Sequence, residues 1–169
     1  MNSRLKSYLF SSIILFCALP LFTQCGFTSS EEEFVSIEQS TPKDLQILID
    51  ETDSESQYIF TDIQKSSIGY GIWTHTVYHT TEAQEKEAQE SGLDKLPASQ
   101  SVFYVVNLDK NEAAPKSSIW YDADGNQITT AEAYNSELEW NKIVPGTLGA
   151  LYAKCIKDIR DNTFEYELD

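Results

Sequence analysis

Two histidines are the first candidates for chemistry in this chain. His75 and His79 are its only histidines, and on a helix their four-residue spacing would bring both rings to one metal ion. The surrounding segment, Tyr70 to Thr80, is rich in β-branched and aromatic residues and predicts a strand. On a strand the two Cα atoms lie about 13 Å apart, so we expect sheet-face histidines beside Trp73 and Val77, with a metal site as the alternative.

An acidic pentapeptide, Asp122-Ala123-Asp124-Gly125-Asn126, is the second candidate, because its spacing partly matches a calcium loop. Its glycine stands at the fourth position of such a loop instead of the sixth, and the twelfth position is Ala133 instead of Glu. The same residues readily adopt positive φ. They favour a hairpin turn, with strands in the range Lys116 to Thr130.

Cys155 is the third candidate, and it lies on the apolar stripe of a predicted helix. A catalytic thiol needs a nearby base and a lowered pKa, and both histidines are on a distant strand. The chain also lacks the G-x-S-x-G, P-loop, G-x-G-x-x-G and H-E-x-x-H motifs. We therefore expect no enzyme activity, no catalytic residue, no metal, no cofactor and no small-molecule substrate.

The amino terminus predicts export. Arg4 and Lys6 precede an apolar run, Tyr8 to Phe22, which is too short for the ~20 residues of a membrane-spanning helix and reads as a signal peptide. The run ends in Leu21-Phe22-Thr23-Gln24-Cys25-Gly26, which resembles the lipobox of bacterial lipoprotein precursors, although Phe22 and Gln24 depart from its strict pattern. The resemblance implies cleavage before Cys25 and lipidation of its thiol. An ordinary secretory cleavage nearby is the alternative.

Charge excludes one class of partner. The 169 residues carry a formal charge of −15, and because residues 1–24 contain two bases and no acid, the remainder carries −17. Such a chain repels nucleic acid and anionic headgroups. We expect a membrane association through acyl chains, on the outer membrane since Gly26 follows the cysteine, and no nucleic-acid partner.

The elements after the leader predict one small α+β domain. Residues 25–33 are polar and form a predicted tether, and residues 34–169 form the domain. Strands are predicted at Phe34 to Glu38, Leu45 to Ile49, Gln57 to Thr61, Tyr70 to Thr80, Ser101 to Leu108 and Lys116 to Tyr121. Thr81 and Gln84 suggest a capping box for an exposed helix that ends at Gly92, with an ion pair between Glu82 and Lys86; a disordered loop is the alternative.

The carboxyl-terminal part predicts an amphipathic helix. Apolar residues from Leu148 to Ile159 recur at three- and four-residue spacing after Pro145-Gly146, with Thr147 as the cap. The fold class is therefore α+β: a single antiparallel β-sheet packed by a C-terminal amphipathic helix.

A series of turn motifs and aromatic residues runs through residues 57 to 156. It comprises Tyr121-Asp122-Ala123-Asp124-Gly125, Trp140, Pro145-Gly146-Thr147 and Cys155, with Tyr58 and Ile72-Trp73 upstream. In these features the segment resembles the surface-adhesin protein E-like family of small bacterial envelope proteins. The family commonly pairs its helix cysteine with one on the strand before the hairpin, and that strand lacks one here. The resemblance implies an adhesin that binds host matrix proteins.

Two non-enzymatic functions follow as hypotheses. The first is a surface-exposed binding module, such as an adhesin of host matrix proteins. The second is a periplasm-facing accessory or scaffold protein that binds other envelope proteins. The sequence does not choose between them.

Overall fold

The computed structural model describes residues 6–7, 33–165 and 167–168. Within these residues the chain forms eleven strands, two α-helices and a 3-10 helix at Asn135–Glu137. The strands and α-helices are, in chain order, β1 Lys6–Ser7, β2 Val35–Ser36, β3 Gln46–Glu51, β4 Glu55–Phe60, β5 Gln64–Lys65, β6 Tyr70–Tyr78, α1 Thr81–Ser91, β7 Ser99–Asn107, β8 Glu112–Tyr121, β9 Gln127–Glu132, β10 Asn141–Lys142, α2 Leu148–Arg160 and β11 Glu167–Leu168.

The long strands form a meander in one sheet. Strands β3, β4, β6, β7, β8 and β9 pair with their neighbours in this order, and every one of these pairings is antiparallel. The short strands β1, β2, β5, β10 and β11 add further pairings to this sheet, and the pairing of β1 with β11 is parallel. The predicted α+β class with a largely antiparallel sheet is therefore confirmed. Strand β1, which pairs with β3, lies inside the segment predicted as a signal peptide.

Helix α2 lies against one face of the sheet, here called the helix face. Its buried stripe consists of Tyr152, Ala153, Cys155, Ile156 and Ile159. These side chains share a core cluster with fully buried isoleucines and a valine from the strands and the β4–β5 connection, namely Ile47, Ile59, Ile63, Ile72 and Val106. Burying one such side chain stabilises the fold by about 1.5–3 kcal/mol. Among the described residues, no helix is long and apolar enough to cross a bilayer.

Helix α1 forms, and its amino-terminal cap lies one residue before the predicted one. The hydroxyl of Thr80, one residue before Thr81, accepts a hydrogen bond from the Ala83 amide and caps the helix. Its ion pair joins Lys86 to Glu90 at 4.0 Å, instead of Glu82 to Lys86. Gly92 ends the helix at φ +64, as predicted, because the left-handed conformation suits glycine.

Two strand predictions need correction. The strand predicted at Phe34 to Glu38 pairs only over Val35–Ser36, because its partner β5 has two residues. Strand β8 begins at Glu112, before the predicted Lys116, and contains Pro115. The proline is tolerated since it lies at a bulge, between the stretch of β8 that pairs with β10 and the stretch that pairs with β9.

Thr147 is the residue at the amino-terminal cap of α2, but its side chain has a different role from the one predicted. Its hydroxyl donates a 2.7 Å hydrogen bond back to the Val144 carbonyl, and no side-chain bond caps the helix amides. The hydroxyl therefore fixes the turn at Pro145-Gly146 that leads into the helix.

Candidate binding surface

The second face of the sheet is covered at only one end. Residues directly opposite each other on antiparallel strands share a face, and Tyr58, His75, Ser101 and Ile119 form one such row across four strands. Neither α-helix packs on this face, because the contacts of both helices are with the opposite one. We define the open face as the partly exposed side chains of Leu48, Tyr58, Phe60, His75, Val77, Ile119 and Tyr121.

His75 lies at the centre of the open face. Its ring centroid is 6.5 Å from that of Phe60 and 6.5 Å from that of Tyr121, so aromatic rings flank it on both sides. Its Nδ1 lies 2.9 Å from the Ser101 hydroxyl on the neighbouring strand. Burial lowers the pKa of His75, because desolvation disfavours the charged imidazolium. At neutral pH this surface therefore presents an uncharged ring among aromatic neighbours.

The other end of the same face is closed by a small core. Phe103 is 6% exposed and packs edge-on against Phe34, with the ring centroids 5.1 Å apart, and also contacts Trp73. Leu138 and Trp140, which follow the 3-10 helix, complete this cluster. The sheet face is thus divided into a sealed part beside Phe34 and the open face around His75.

The helix face holds a partly buried polar network beside α1. A Glu87 carboxylate oxygen accepts hydrogen bonds from the Trp120 indole at 2.8 Å and the Ser91 hydroxyl at 2.6 Å. The Tyr78 hydroxyl donates to the Gln100 side chain at 3.2 Å, and burial together with Glu87 raises the pKa of Tyr78. The phenol stays protonated and offers no nucleophile. The network fixes α1 on the sheet.

A cleft of about 390 Å³ lies between α1 and the β3–β4 turn. Its lining includes four glutamates and one lysine, Glu55, Glu82, Glu87, Glu90 and Lys86. Among the described residues, no group of three or more His, Cys, Asp or Glu is arranged to hold a metal ion, and this includes the glutamates of the cleft.

The two histidines have separate environments. His79 follows the end of β6, is exposed, and its Nε2 lies 2.7 Å from the Ser56 hydroxyl. His75 bonds to Ser101 on the other neighbouring strand. The structure does not bring them to a common ligand position, in agreement with the strand prediction.

The acidic turn and Cys155 have structural surroundings. The Asp122 carboxylate accepts hydrogen bonds from the backbone amides of Asp124 and Asn126, at 3.0 and 2.8 Å, which stabilise the predicted hairpin turn and lower the pKa of Asp122. Cys155 is 4% exposed, and burial raises its thiol pKa to about 12. Such a thiol is unreactive at neutral pH. The predicted lipidation site, Cys25, lies outside the described residues.

The sequence predicted part of the open face and missed the rest. The strand prediction for β6 correctly placed His75 on one face of the sheet beside Trp73 and Val77. The contributions of Phe60 and Ile119 were missed, because they depend on the register between strands. The sequence did indicate that part of the sheet would be uncovered, since the one predicted apolar helix is short and can cover only part of one sheet face.

Comparisons of the chain with protein-family models, with curated proteins and with solved structures found no match. The likeness to the surface-adhesin protein E-like family therefore stays a prediction, and the geometry of the domain is the basis for its proposed function.

The partial burial of His75 predicts an acid-dependent loss of stability. Its folded-state pKa is below the ordinary value of 6.5, so below that pH the unfolded chain binds a proton that the folded chain does not. Stability should fall as pH falls, by up to about 1.4 kcal/mol per pH unit for this one proton. We expect His75→Gln to flatten this part of the pH profile in urea unfolding, with exposed His79→Gln as the control. Identical profiles for wild type and His75→Gln would contradict this assignment.

Proposed function

We propose that the chain is a lipid-anchored bacterial envelope protein, attached to the outer membrane through Cys25, whose domain is a non-enzymatic protein-binding module. In this proposal the C-terminal helix closes one face of the sheet, and the open face receives the partner. The signal peptide would leave with residues 1–24, and β1 with it.

One observation carries the binding function: a band of partly exposed aromatic and aliphatic side chains on a sheet face that no helix covers. Tyrosine and other aromatic residues are enriched in protein interfaces, where they supply large contact areas at a low cost in side-chain entropy. The band contains two tyrosines, a phenylalanine and a neutral histidine on a rigid sheet. A rigid aromatic surface of this kind fits a protein partner better than a small substrate, because it is a face and not an enclosed pocket.

The accessory role and the adhesin role use the same surface and differ in the partner, an envelope protein or a host matrix protein. The leader and the predicted anchor support an envelope location, and the family likeness supports adhesion.

Photo-crosslinking tests the proposed surface. A photoreactive phenylalanine analogue at position 77, on the open face, should give discrete adducts with one partner protein when cells or membranes are irradiated. The same analogue at position 96 is the matched control, because Leu96 is 45% exposed and lies outside the open face. Mass spectrometry of the adduct would identify the partner. The same set of adducts from both positions, or no adduct from position 77 in the presence of host matrix and envelope proteins, would contradict the proposal.

A further inference from the structure

Strand β9, Gln127–Glu132, forms one edge of the sheet. Within the described part of the chain it pairs with β8 alone, and five of its six residues are exposed. Its pairing is regular from Thr129 to Glu132, where each residue has one partner in β8. We call the side of β9 that faces away from β8 the β9 edge. An edge of this kind presents a row of unpaired backbone donors and acceptors, which can pair with another strand.

The backbone hydrogen bonds of β9 identify the residues that face outward. The Ala133 amide donates to the Lys116 carbonyl of β8 at 2.8 Å. Because the backbone groups of successive residues in an antiparallel strand point alternately to its two sides, those of Thr130 and Glu132 point away from β8. The amide and carbonyl of Thr130 therefore lie near the middle of the β9 edge, where no strand of the described residues pairs with them.

Strand β9 has few of the features that usually protect an edge strand. Lysine, proline and bulges are common protections. Residues 129–132, Thr-Thr-Ala-Glu, contain neither lysine nor proline, and no register shift interrupts their pairing. At the opposite margin of the sheet, β3 has a register shift between Leu48 and Asp50. Strand β9 is therefore the edge better suited to receive an additional strand.

The surroundings of the β9 edge are acidic. Residues 122–139 contain no lysine or arginine. Their five acids are Asp122, Asp124, Glu132, Glu137 and Glu139. The ammonium of Lys116 lies 3.9 Å from the Glu132 carboxylate, so five acids and one paired lysine leave a formal charge of −4. Two copies of the chain paired through this strand would bring such acids together, whereas a strand with lysine or arginine would be attracted. The charge favours a basic segment of another protein over a second copy.

The β9 edge also adjoins the open face. Thr130 lies directly opposite Ile119 of β8, which belongs to the open face. Side chains alternate between the two faces of a sheet, so every second side chain of an added strand would extend the open face beyond β9. Strand addition of this kind gives affinity through main-chain hydrogen bonds and specificity through alternate side chains.

We infer that the β9 edge binds an extended, basic segment of the partner protein as an additional strand of the sheet. The inference rests on the proposed binding function of the open face and specifies the form of the partner. The segment matches β9 in length, at about six residues. Its outward backbone partner is Thr130, and its lysine or arginine side chains lie among the acids that flank the edge.

Proline at position 130 tests the backbone contact. Thr130→Pro removes the outward amide hydrogen and Thr130→Val retains it, and proline is tolerated on the outer side of an edge strand. Each substitution would be made in the full chain, with the photoreactive phenylalanine analogue at position 131 on β9 or at position 77 on the open face. Membranes would be irradiated in the presence of host matrix and envelope proteins. Urea unfolding would show whether both variants are folded.

We expect positions 131 and 77 to give adducts with the same partner. The yield at position 131 should be at least about fivefold lower in Thr130→Pro than in Thr130→Val, because one hydrogen bond is lost and the ring blocks the approach of a strand. Mass spectrometry should identify a segment at position 131 with more basic than acidic residues, and this result decides the question even if Thr130→Pro does not fold.

Three results would overturn the β9 edge as a binding site, even where position 77 retains its adduct. They are equal yields in the two folded variants, an acidic partner segment, and an adduct with a second copy of the chain. Absence of an adduct from position 77 would instead contradict the binding function proposed for the open face.

Discussion

Gly69→Ala should destabilise the domain by about 3–5 kcal/mol, a large share of the usual 5–15 kcal/mol of a folded domain. Gly69 has a φ of +154 in the connection between β5 and β6. A Cβ atom there would lie 2.6 Å from the Val106 carbonyl oxygen, which belongs to a fully buried residue of β7. Backbone atoms cannot rotate away as a side chain can, so either the connection or the end of β7 must shift.

Gly92→Ala is the matched control for this substitution. Gly92 also has positive φ, at +64, but no atom lies within 4 Å of the position its Cβ would occupy. Gly92→Ala should lower the free energy of unfolding only by the conformational strain of an alanine at this φ, about 1–2 kcal/mol. Urea unfolding of both variants at neutral pH measures the difference. A cost for Gly69→Ala no greater than that for Gly92→Ala would mean that the close approach of the β5–β6 connection to β7 is wrong.

Cys25→Ser should abolish the incorporation of fatty acid completely. A thioether to diacylglycerol needs the thiol, and a hydroxyl at the same position cannot replace it. Each buried methylene contributes about 0.8 kcal/mol to membrane association, so the loss of several acyl chains removes essentially all of the anchoring free energy. Growth with an alkyne-bearing fatty acid, followed by fluorescent detection on a denaturing gel, measures the label on the protein.

Cys155→Ser is the control that the structure supplies for this experiment. Cys155 is 4% exposed with a raised pKa, so its thiol is neither accessible nor activated, and the variant should be labelled as strongly as wild type. Label that persists in Cys25→Ser and disappears in Cys155→Ser would assign the modification to the wrong cysteine and reject the lipoprotein proposal.

Much of the fold was predictable because local patterns agree with the tertiary structure. The alternation of β6 places Ile72 on the face that α2 covers, and the apolar stripe of α2 includes Ile156, so the two residues meet in the core. The turn at Asp122 to Asn126 was predictable for a similar reason, since its side-chain and backbone bonds are all local.

Features that depend on distant residues were not predictable. The weak apolar stripe of α1 left a loop as an alternative, because its attachment to the sheet comes from Glu87 and Trp120, which are 33 residues apart. The extent of β8 depends on its register with β7, in which Glu112 pairs with Asn107, and this register is set by residues outside β8 itself.

The candidate site was predictable only in part, for the same reason. His75 was recognised as a sheet-face histidine, but its neighbours Phe60 and Tyr121 come from segments far along the chain. That face is open because neither α-helix packs on it. Periodicity within one strand carries no information about such coverage.

The mass of the mature amino-terminal peptide is the decisive measurement for the proposed lipid anchor, because the envelope location and the proposed roles all depend on that anchor. Protein isolated from native membranes should begin at Cys25 and carry the mass of a thioether-linked diacylglycerol on that residue. An unmodified amino terminus at any other residue, or an intact leader on protein recovered from the cytosol, would rule out the lipid anchor and the envelope location.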